Sequence, residues 1–239
     1  MTLDPKIVKT LAAVSTATIT TVLLNKGLGN IFMRKVHRLG TGGERVVGPA
    51  FTLRFIPARG DLSTPASWSS PLSTRAAIEA MPEGCIAVID AMGVTDAGVY
   101  GDILCGRMKQ RGVAAMVTDG AVRDVAGVVA TGLPVWCQAV AAPPSIASLT
   151  FVNWGDPIGC GGVAVFPDEV IVADDDGAVV VPHALLDWVV KTAPEQELFE
   201  AWVTQELTKG TPLPGLYPPN AETKARYEAS KRQAPNIRF

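Results

Sequence analysis

The sequence predicts an α/β fold built on a mainly parallel β-sheet. Continuous apolar runs at 85–91, 113–119 and 133–140 have the length and composition of strands that are covered on both faces. Segments with a helical spacing separate them. At 101–112 the predicted stripe is Ile103, Leu104, Met108 and Arg111, and at 121–131 it is Val122, Val125, Ala126 and Val129. This alternation of strand and helix is typical of parallel strands that are joined by right-handed crossovers.

The chain before this region is predicted to supply helical structure and one long strand. Residues 4–26 have a helical pattern, with a turn near 15–18 and an end at Gly27. Alternating β-branched and aromatic residues at 45–58 indicate a strand, and the polar, Pro- and Ser-rich stretch 59–73 indicates a loop.

The part of the chain after these elements has a different character. Short β-like segments within 159–166 and 169–182 indicate a small all-β unit or a second sheet layer. The tetrapeptide "DDDG" at 174–177 is predicted to be a hairpin turn, because "AVVVP" after it supplies no later calcium ligands. A helix at about 183–208 is expected to end the fold.

Length and composition fit one globular domain followed by a short extension. The chain has 239 residues, of which 48% are apolar and 18% are charged, so it can bury a sizeable core. We assign residues 1–210 to a single α/β domain. Residues 211–239, Pro-rich and then charged, are predicted to form an arm that packs on a neighbour or a frayed tail.

Several functional classes are excluded at this stage. A net charge of −2 gives no basic footprint for nucleic acid, and two histidines cannot build a zinc site on several imidazoles. The four cysteines form no C-x-x-C pair and indicate free, buried thiols in a reducing compartment. Residues 11–25 are too short to cross a bilayer, and Asp4 interrupts any basic leader region. We therefore expect a cytoplasmic protein that binds neither nucleic acid nor membrane.

Charged residues gather where the predicted strand at 113–119 ends. Asp119 and Gly120 close that strand, and Arg123 and Asp124 follow side by side at the start of a predicted helix. A cation near a helix N-terminus is unfavourable by up to about 1 kcal/mol, so Arg123 invites a functional explanation. Arginine binds a carboxylate bidentately, and aspartate can hold a hard divalent cation. The pair therefore suits a 2-oxo acid, with its carboxylate fixed and its carbonyl polarised.

A purely structural interpretation of the same residues is also open. Arg123 can pair with Asp119 or with another acid at the surface. Asp102 and Asp124 can be ordinary carboxylates in the first turns of helices. From these residues alone, the structural interpretation is the simpler of the two.

The segment at 101–136 carries a more specific pattern. It contains Gly-Asp, a helix, a glycine, a strand that ends in Asp-Gly, and then Arg-Asp. This set resembles the family that contains the 4-hydroxy-4-methyl-2-oxoglutarate aldolase/oxaloacetate decarboxylase enzymes and the regulator of ribonuclease activity A. Flanking features agree, among them "STAT" at 15–18, a Gly pair at 161–162 and "VIVADDDGAVVVP" at 170–182. The similarity covers most of residues 10–190.

The resemblance implies a layered α/β/β swivelling-domain fold that assembles as a homotrimer or a hexamer, with sites at the subunit interfaces. It implies a lyase, an aldolase or decarboxylase, that acts on a small-molecule 2-oxo acid and uses Mg²⁺ or Mn²⁺ as its cofactor. The loop at 58–73 and the C-terminal segment are typical of a longer subgroup of that family.

The resemblance also assigns roles to individual residues. Asp124 is expected to bind the metal, Arg123 to bind the carboxylate and the enolate of pyruvate, and Asp102 to touch metal-bound water and act in proton transfer. A segment with backbone N–H groups is expected to bind the substrate carboxylate; it comprises Gly101, Asp102, Ile103 and Leu104. An acidic residue of a neighbouring subunit completes the metal site, and the candidates are Glu195, Glu197 and Glu200.

The residue inventory favours a metal-dependent (class II) reaction. A Schiff-base aldolase needs a desolvated lysine, whereas Lys109 lies on a polar helix face and no other lysine lies in a predicted buried strand. We predict a metal-dependent carbon–carbon lyase that cleaves a 2-oxo acid, by retro-aldol reaction or decarboxylation, through a pyruvate enolate. Two alternatives stay open: a non-catalytic, protein-binding regulator of a ribonuclease, and a dehydratase or hydrolase of a 2-keto-3-deoxy sugar acid.

Overall fold

An eight-stranded mixed sheet forms the centre of the computed structural model, which describes residues 3–233. The strands of the chain are β1 (His37–Arg38), β2 (Val46–Pro57), β3 (Ile86–Asp90), β4 (Ala115–Thr118), β5 (Ala121–Val122), β6 (Val135–Cys137), β7 (Ala139–Val140), β8 (Leu149–Trp154), β9 (Ile158–Cys160), β10 (Val163–Val165), β11 (Val170–Ala173) and β12 (Ala178–Val181). The helices are α1 (Pro5–Ala12), α2 (Thr16–Asn25), α3 (Thr74–Ala80), α4 (Asp102–Gln110), α5 (Val125–Ala130), α6 (His183–Thr208) and α7 (Ala221–Gln233), and 3₁₀ turns lie at Pro65–Ser69 and Ser145–Ala147.

The sheet is parallel at its centre and antiparallel at its margins. Its order is β1-β6-β4-β3-β2-β11-β12, and β8 also pairs with β2. Strands β2, β3, β4 and β6 run parallel, whereas β1, β8, β11 and β12 join antiparallel. The long strand β2 shares one edge between two partners, with residues 46–49 against β11 and residues 53–57 against β8. The predicted α/β fold with a mainly parallel central sheet is confirmed.

Both faces of the central strands are buried, as their apolar composition predicts. On one face, Ala87 and Ile89 of β3 pack with residues of α3, α4 and α5. On the other face, Ile86 and Val88 pack with the β9–β10 hairpin. Helices, central sheet and hairpin therefore form the three layers of the expected α/β/β arrangement, and the tight turn at Gly161 and Gly162 joins the two hairpin strands.

The N-terminal region forms two helices where a single bent helix was predicted. α1 and α2 meet at an angle of 99°. Ser15 begins α2, since its hydroxyl oxygen accepts from the Thr18 N–H at 3.0 Å. Asp174 of the "DDDG" turn accepts from the N–H of Thr16 at 2.9 Å and from its hydroxyl at 2.7 Å. The "STAT" segment therefore attaches α2 to the β11–β12 hairpin, and that hairpin turn is confirmed.

Arg45 completes the contacts of Asp174, because its Nε donates to the carboxylate at 3.1 Å. Burial alone would raise the pKa of Asp174, but the hydrogen bonds from Thr16 and Arg45 together outweigh it and hold the pKa below its ordinary value. In residues 3–233, no single helix is long and apolar enough to cross a membrane, although α1 and α2 taken together reach that length and composition.

The C-terminal part packs back on its own chain. α6 has the predicted bounds. Phe199 and Trp202 of α6 meet Leu216 and Tyr227 of the following segment in a small apolar cluster, which holds α7 against α6. No helix was predicted for residues 221–233. The last part of the predicted arm or tail, 234–239, lies outside the described residues.

The four cysteines, Cys85, Cys105, Cys137 and Cys160, are free and buried, as predicted. Burial raises the pKa of Cys85 to about 12 and that of Cys137 to about 11. These thiols therefore stay protonated at neutral pH and act as packing groups.

Candidate active site

Two chain segments lie side by side at the carboxyl end of the parallel strands. One is the loop that leads into α4, and the other is the connection from β4 to α5. The N–H of Val99 donates to the carbonyl of Ala121 at 2.8 Å, and the N–H of Arg123 donates to the carbonyl of Tyr100 at 3.0 Å. These hydrogen bonds place Asp102, at the start of α4, beside the Arg123–Asp124 pair.

The prediction of a helix over 121–131 is wrong at its beginning. Ala121 and Val122 form the short strand β5, which pairs with β7, and α5 begins only at Val125. Arg123 and Asp124 therefore precede the helix instead of lying in its first turn. The predicted apolar stripe is wrong as well, because Val128 is buried whereas Val129 is 52% exposed.

Asp124 adopts an unusual backbone conformation at this junction. It has φ 53° and ψ 45°, in the left-handed region that residues other than glycine rarely adopt. Its side chain makes no capping hydrogen bond to α5. The carboxylate accepts instead from Arg123 Nε at 3.0 Å. Such strain, on the order of 1–3 kcal/mol, is concentrated at functional sites in proteins.

Three glycines allow the two segments to approach this closely. A Cβ atom on Gly98 would lie 2.8 Å from the backbone nitrogen of Arg123, and one on Gly101 would lie 2.6 Å from Asp124 Oδ2. A Cβ atom on Gly127 would lie 2.7 Å from Asp102 Oδ2. Both carboxylates are therefore held against the backbone of the opposite segment.

All six residues that the sequence assigns to the site line one cavity of about 240 Å³. They are Gly101, Asp102, Ile103, Leu104, Arg123 and Asp124. The structure thus brings the predicted residues together, and their chemical roles stay predictions. No lysine is found among the residues that line this cavity in the described part of the chain, which agrees with the argument against a Schiff base.

Arg123 and Asp124 are accessible from the cavity. Their side chains are 35% and 44% exposed, so a ligand can reach both the guanidinium and the carboxylate. Asp119, the other partner considered for Arg123, is buried and accepts from the N–H groups of Ala91 and Gly161 at 2.8 and 3.2 Å. Burial raises the pKa of Asp119, and these two hydrogen bonds oppose the rise. Asp119 is therefore a structural residue that holds two loops together.

Asp102 interacts with the segment that was expected to present N–H groups. Its Oδ1 accepts from the N–H of Ile103 at 2.7 Å, so this N–H already has a partner. The predicted stripe of α4 is only partly right, because Met108 is buried but Ile103 is 82% exposed. The neighbouring Cys105 is no nucleophile: burial, and then the charge of Asp102, raise the pKa of its thiol to about 12.

Sequence reasoning missed other residues of the cavity lining. These include Trp68, Thr74, Arg75, Tyr100, Pro144 and Ser145. Ser73 begins α3, since its hydroxyl oxygen accepts from the Ala76 N–H at 3.2 Å. The serine before an apolar run was a signal for this helix start, but no local pattern predicts that the helix meets α4 and α5.

The three glutamates proposed to complete a neighbour's metal site have partners within their own chain. Glu195 pairs with Lys231 at 2.7 Å, and Glu197 accepts from the hydroxyl of Ser15 at 3.2 Å. Glu200 accepts from Gln196 at 2.7 Å. None of the three lines the cavity of its own chain.

The donor set of the cavity fits a hard divalent cation with few protein ligands. Asp124 supplies a carboxylate oxygen, Asp102 lies beside it where it can accept from metal-bound water, and the described residues contain no cluster of three or more His, Cys, Asp or Glu side chains that could enclose a metal. Magnesium is usually held by one or two carboxylates and keeps several waters, so such an open arrangement suits it.

Comparison with known proteins supports the α/β/β fold described above. The model of the family described as "RraA-like: Aldolase/RraA" matches residues 13–180. A protein of Halalkalibacterium halodurans named "Putative 4-hydroxy-4-methyl-2-oxoglutarate aldolase" is 33% identical over 154 residues, which cover 64% of this chain and 68% of that protein. Protein DlpA of Legionella pneumophila is 28% identical over 72% of this chain, a stretch that corresponds to 27% of DlpA.

A solved structure agrees over a longer stretch. RraAS2 of Streptomyces coelicolor, described as an unusual member of the RNase ES inhibitor RraA protein family, superimposes with a TM-score of 0.75. It is 33% identical, and the match covers 84% of this chain and 97% of that one. Among the relatives, one name thus describes an aldolase and another describes an inhibitor of a ribonuclease.

Proposed function

Since the chain belongs to the RraA-like aldolase/RraA family, we propose that it is a divalent-metal-dependent lyase that cleaves a 2-oxo acid by retro-aldol reaction or decarboxylation. The observation that carries the proposal is the accessible Arg123–Asp124 pair, which lies beside Asp102 in the lining of a cavity of about 240 Å³. A purely structural ion pair would not need a left-handed aspartate or three close glycine contacts.

Arg123 binds the substrate in this proposal. Its guanidinium offers several N–H donors in a fixed plane, which suits a carboxylate and the negative charge that develops on the 2-oxo oxygen. Within residues 3–233, its Nε is the one guanidinium nitrogen that donates a hydrogen bond, and the acceptor is Asp124. The remaining donors are therefore available to the substrate.

Asp124 would hold the cation, with Asp102 as its neighbour. A bound Mg²⁺ or Mn²⁺ would polarise the carbonyl of the substrate. Asp124 makes no capping bond, and only its Oδ2 accepts a hydrogen bond from the described residues, so the partly exposed carboxylate has Oδ1 available as an oxygen ligand. Proton transfer falls to Asp102, whose Oδ2 carries no hydrogen bond from the described residues and so can exchange a proton with water in the cavity.

Exposed apolar residues on three elements near the site segments support assembly into a homotrimer or hexamer. Ile103 of α4 and Val129 of α5 are 82% and 52% exposed, and Val140 of β7 is 56% exposed. Exposed apolar side chains are used in protein interfaces. Ile103 also lines the cavity, so a neighbouring subunit that packs on it would border the cavity, where it can supply a further acidic ligand.

The test is pyruvate release from oxaloacetate, measured with excess Mg²⁺ and corrected for the reaction without protein. We expect turnover that EDTA abolishes and added Mg²⁺ restores. A panel of 2-oxo acids and 2-keto-3-deoxy sugar acids, with product analysis, distinguishes cleavage from dehydration or hydrolysis. The second candidate, a ribonuclease regulator, is favoured by the likeness to RraAS2. A chain that turned over no member of the panel but inhibited a ribonuclease would replace the lyase proposal.

A further inference from the structure

The cavity has a second basic group, which comes from the segment between β2 and α3. Arg75 lies near the start of α3, and the carbon of its guanidinium is 4.8 Å from the centroid of the Trp68 ring. Trp68 belongs to the 3₁₀ turn at Pro65–Ser69. This cation–π contact holds Arg75 at the wall of the cavity that Arg123 also lines, on a different segment of the chain.

Arg75 has no carboxylate partner among residues 3–233. In contrast, Arg59 pairs with Asp61 at 2.7 Å and Arg107 pairs with Glu79 at 2.8 Å, so these two guanidinium groups already have a carboxylate partner. A planar guanidinium that lines a cavity without an acidic partner is well suited to bind an anionic group of a ligand.

Three hydroxyl groups near this end also lack a partner. Thr74, Tyr100 and Ser145 line the cavity, and none of their hydroxyl oxygens makes a hydrogen bond with the described residues. Tyr100 is only 1% exposed, and a buried hydroxyl without a partner is unfavourable.

We propose that Arg75, held on Trp68, determines specificity by binding a second acidic group at the far end of the 2-oxo acid. The hydroxyl of Ser145, which is partly exposed, supplies a further donor to the same group. With a dicarboxylic 2-oxo acid, such as the one in the name of the Halalkalibacterium relative, one carboxylate would lie at Arg123 and the other at Arg75. This inference rests on the proposed function, because that function places the reacting carbonyl at the Arg123–Asp124 end.

The retro-aldol reaction offers a matched pair of substrates for the test. 4-Hydroxy-2-oxoglutarate and 4-hydroxy-2-oxopentanoate differ only in a distal carboxylate, which the second replaces by a methyl group. In both, the bond between C3 and C4 breaks, the C4 hydroxyl loses its proton, and C3 gains one to give pyruvate. Arg75 takes part in none of these transfers, so its effect belongs chiefly in KM.

Arg75→Gln should lower kcat/KM for 4-hydroxy-2-oxoglutarate by about 10- to 100-fold, mainly through KM, as expected for a hydrogen bond to a charged group. Its kcat/KM for 4-hydroxy-2-oxopentanoate should stay within about threefold of the unsubstituted chain. Arg75→Lys should recover part of the loss. Arg59→Gln removes a charge from the same segment but outside the cavity, and it should leave kcat/KM for both substrates unchanged.

Trp68→Leu provides a second route to the same answer if Arg75→Gln folds poorly. It removes the support of the guanidinium and should give a smaller loss that is again confined to the dicarboxylic substrate. An equal loss on both substrates, or no loss on either, would overturn the assignment of Arg75.

A binding measurement separates this inference from the lyase proposal. Calorimetry with Mg²⁺ should show that the chain binds 2-oxoglutarate at least about 10-fold more tightly than 2-oxopentanoate, and that Arg75→Gln removes this preference. If neither aldol substrate is cleaved but the Arg75-dependent preference is present, the lyase proposal fails and Arg75 keeps its role. If the preference is absent or independent of Arg75, the role of Arg75 is refuted.

Discussion

Gly101→Ala is a small change that tests the geometry of the site. Gly101 has φ −124° and ψ −170°, an extended conformation that alanine adopts without strain. The added Cβ atom, however, would lie 2.6 Å from Asp124 Oδ2 and 3.1 Å from Arg123 Cγ, whereas ordinary contacts begin at 3.4 Å. The carboxylate must therefore move away by about 0.8 Å, the difference between 3.4 and 2.6 Å.

The expected effect is large on activity and small on stability. A misplacement of about 1 Å in a catalytic arrangement can cost on the order of 100-fold, so we expect kcat/KM to fall by about 10- to 100-fold. The displaced group is the end of a side chain that is 44% exposed, so the free energy of unfolding should fall by no more than about 1 kcal/mol. Affinity for Mn²⁺ should fall together with activity.

Gly106→Ala is the matched control on the same helix. Its Cβ atom would meet nothing closer than Thr131 Cγ2 at 3.7 Å, so it should raise stability by about 0.5–1 kcal/mol and leave activity unchanged. The assays are pyruvate release, Mn²⁺ binding by electron paramagnetic resonance, and urea unfolding. Refutation would come from a Gly101→Ala variant that keeps its Mn²⁺ affinity and its rate within threefold, or one that loses activity only because it unfolds.

Three further predictions follow from the contacts described above. Arg123→Ala and Asp124→Ala should each lower kcat/KM by at least about 100-fold while the melting temperature stays nearly constant, because the pair is partly exposed; an unchanged rate in either variant removes the site. Asp102→Ala should lower kcat and change the solvent deuterium isotope effect on kcat, while Mn²⁺ binding is largely kept. An unaltered kcat contradicts a role of Asp102 in proton transfer. Asp174→Asn should lower the free energy of unfolding by about 1.5–3 kcal/mol at neutral pH, because its partners include Arg45. The folded pKa of Asp174 is lowered, so its contribution to the free energy of unfolding is present above the unfolded pKa of about 3.9 and is lost as pH falls through the folded pKa. Urea unfolding curves of Asp174→Asn and of the unsubstituted chain should therefore converge in acid. A difference in unfolding free energy that does not change with pH contradicts this linkage.

The central strands could be predicted because burial on both faces leaves a plain signal in the sequence. Ile86, Val88 and the residues between them all face apolar layers, so no alternation interrupts the run. The beginning of α5 could not be predicted in this way. Val122 has the same apolar character in a strand as in a helix, and its pairing with Val140 of β7 is set by the tertiary structure.

Local sequence motifs predicted some of the residues that line the cavity but not the others. Gly-Asp and Arg-Asp lie next to strand ends, where parallel sheets place their ligand sites. Arg75 and Trp68 lie in a Pro- and Ser-rich stretch that has no comparable signal. Their contact with each other, and their position on the wall beside Tyr100, depend on how α3 packs against α4.

A crystal structure with Mn²⁺ and pyruvate tests the central claim most directly. We expect an anomalous manganese peak at Asp124, and the pyruvate carboxylate within hydrogen-bond distance of Arg123, in the cavity that Gly101 and Asp102 border. Manganese bound elsewhere, or a cavity without either ligand at concentrations that saturate turnover, would contradict the account.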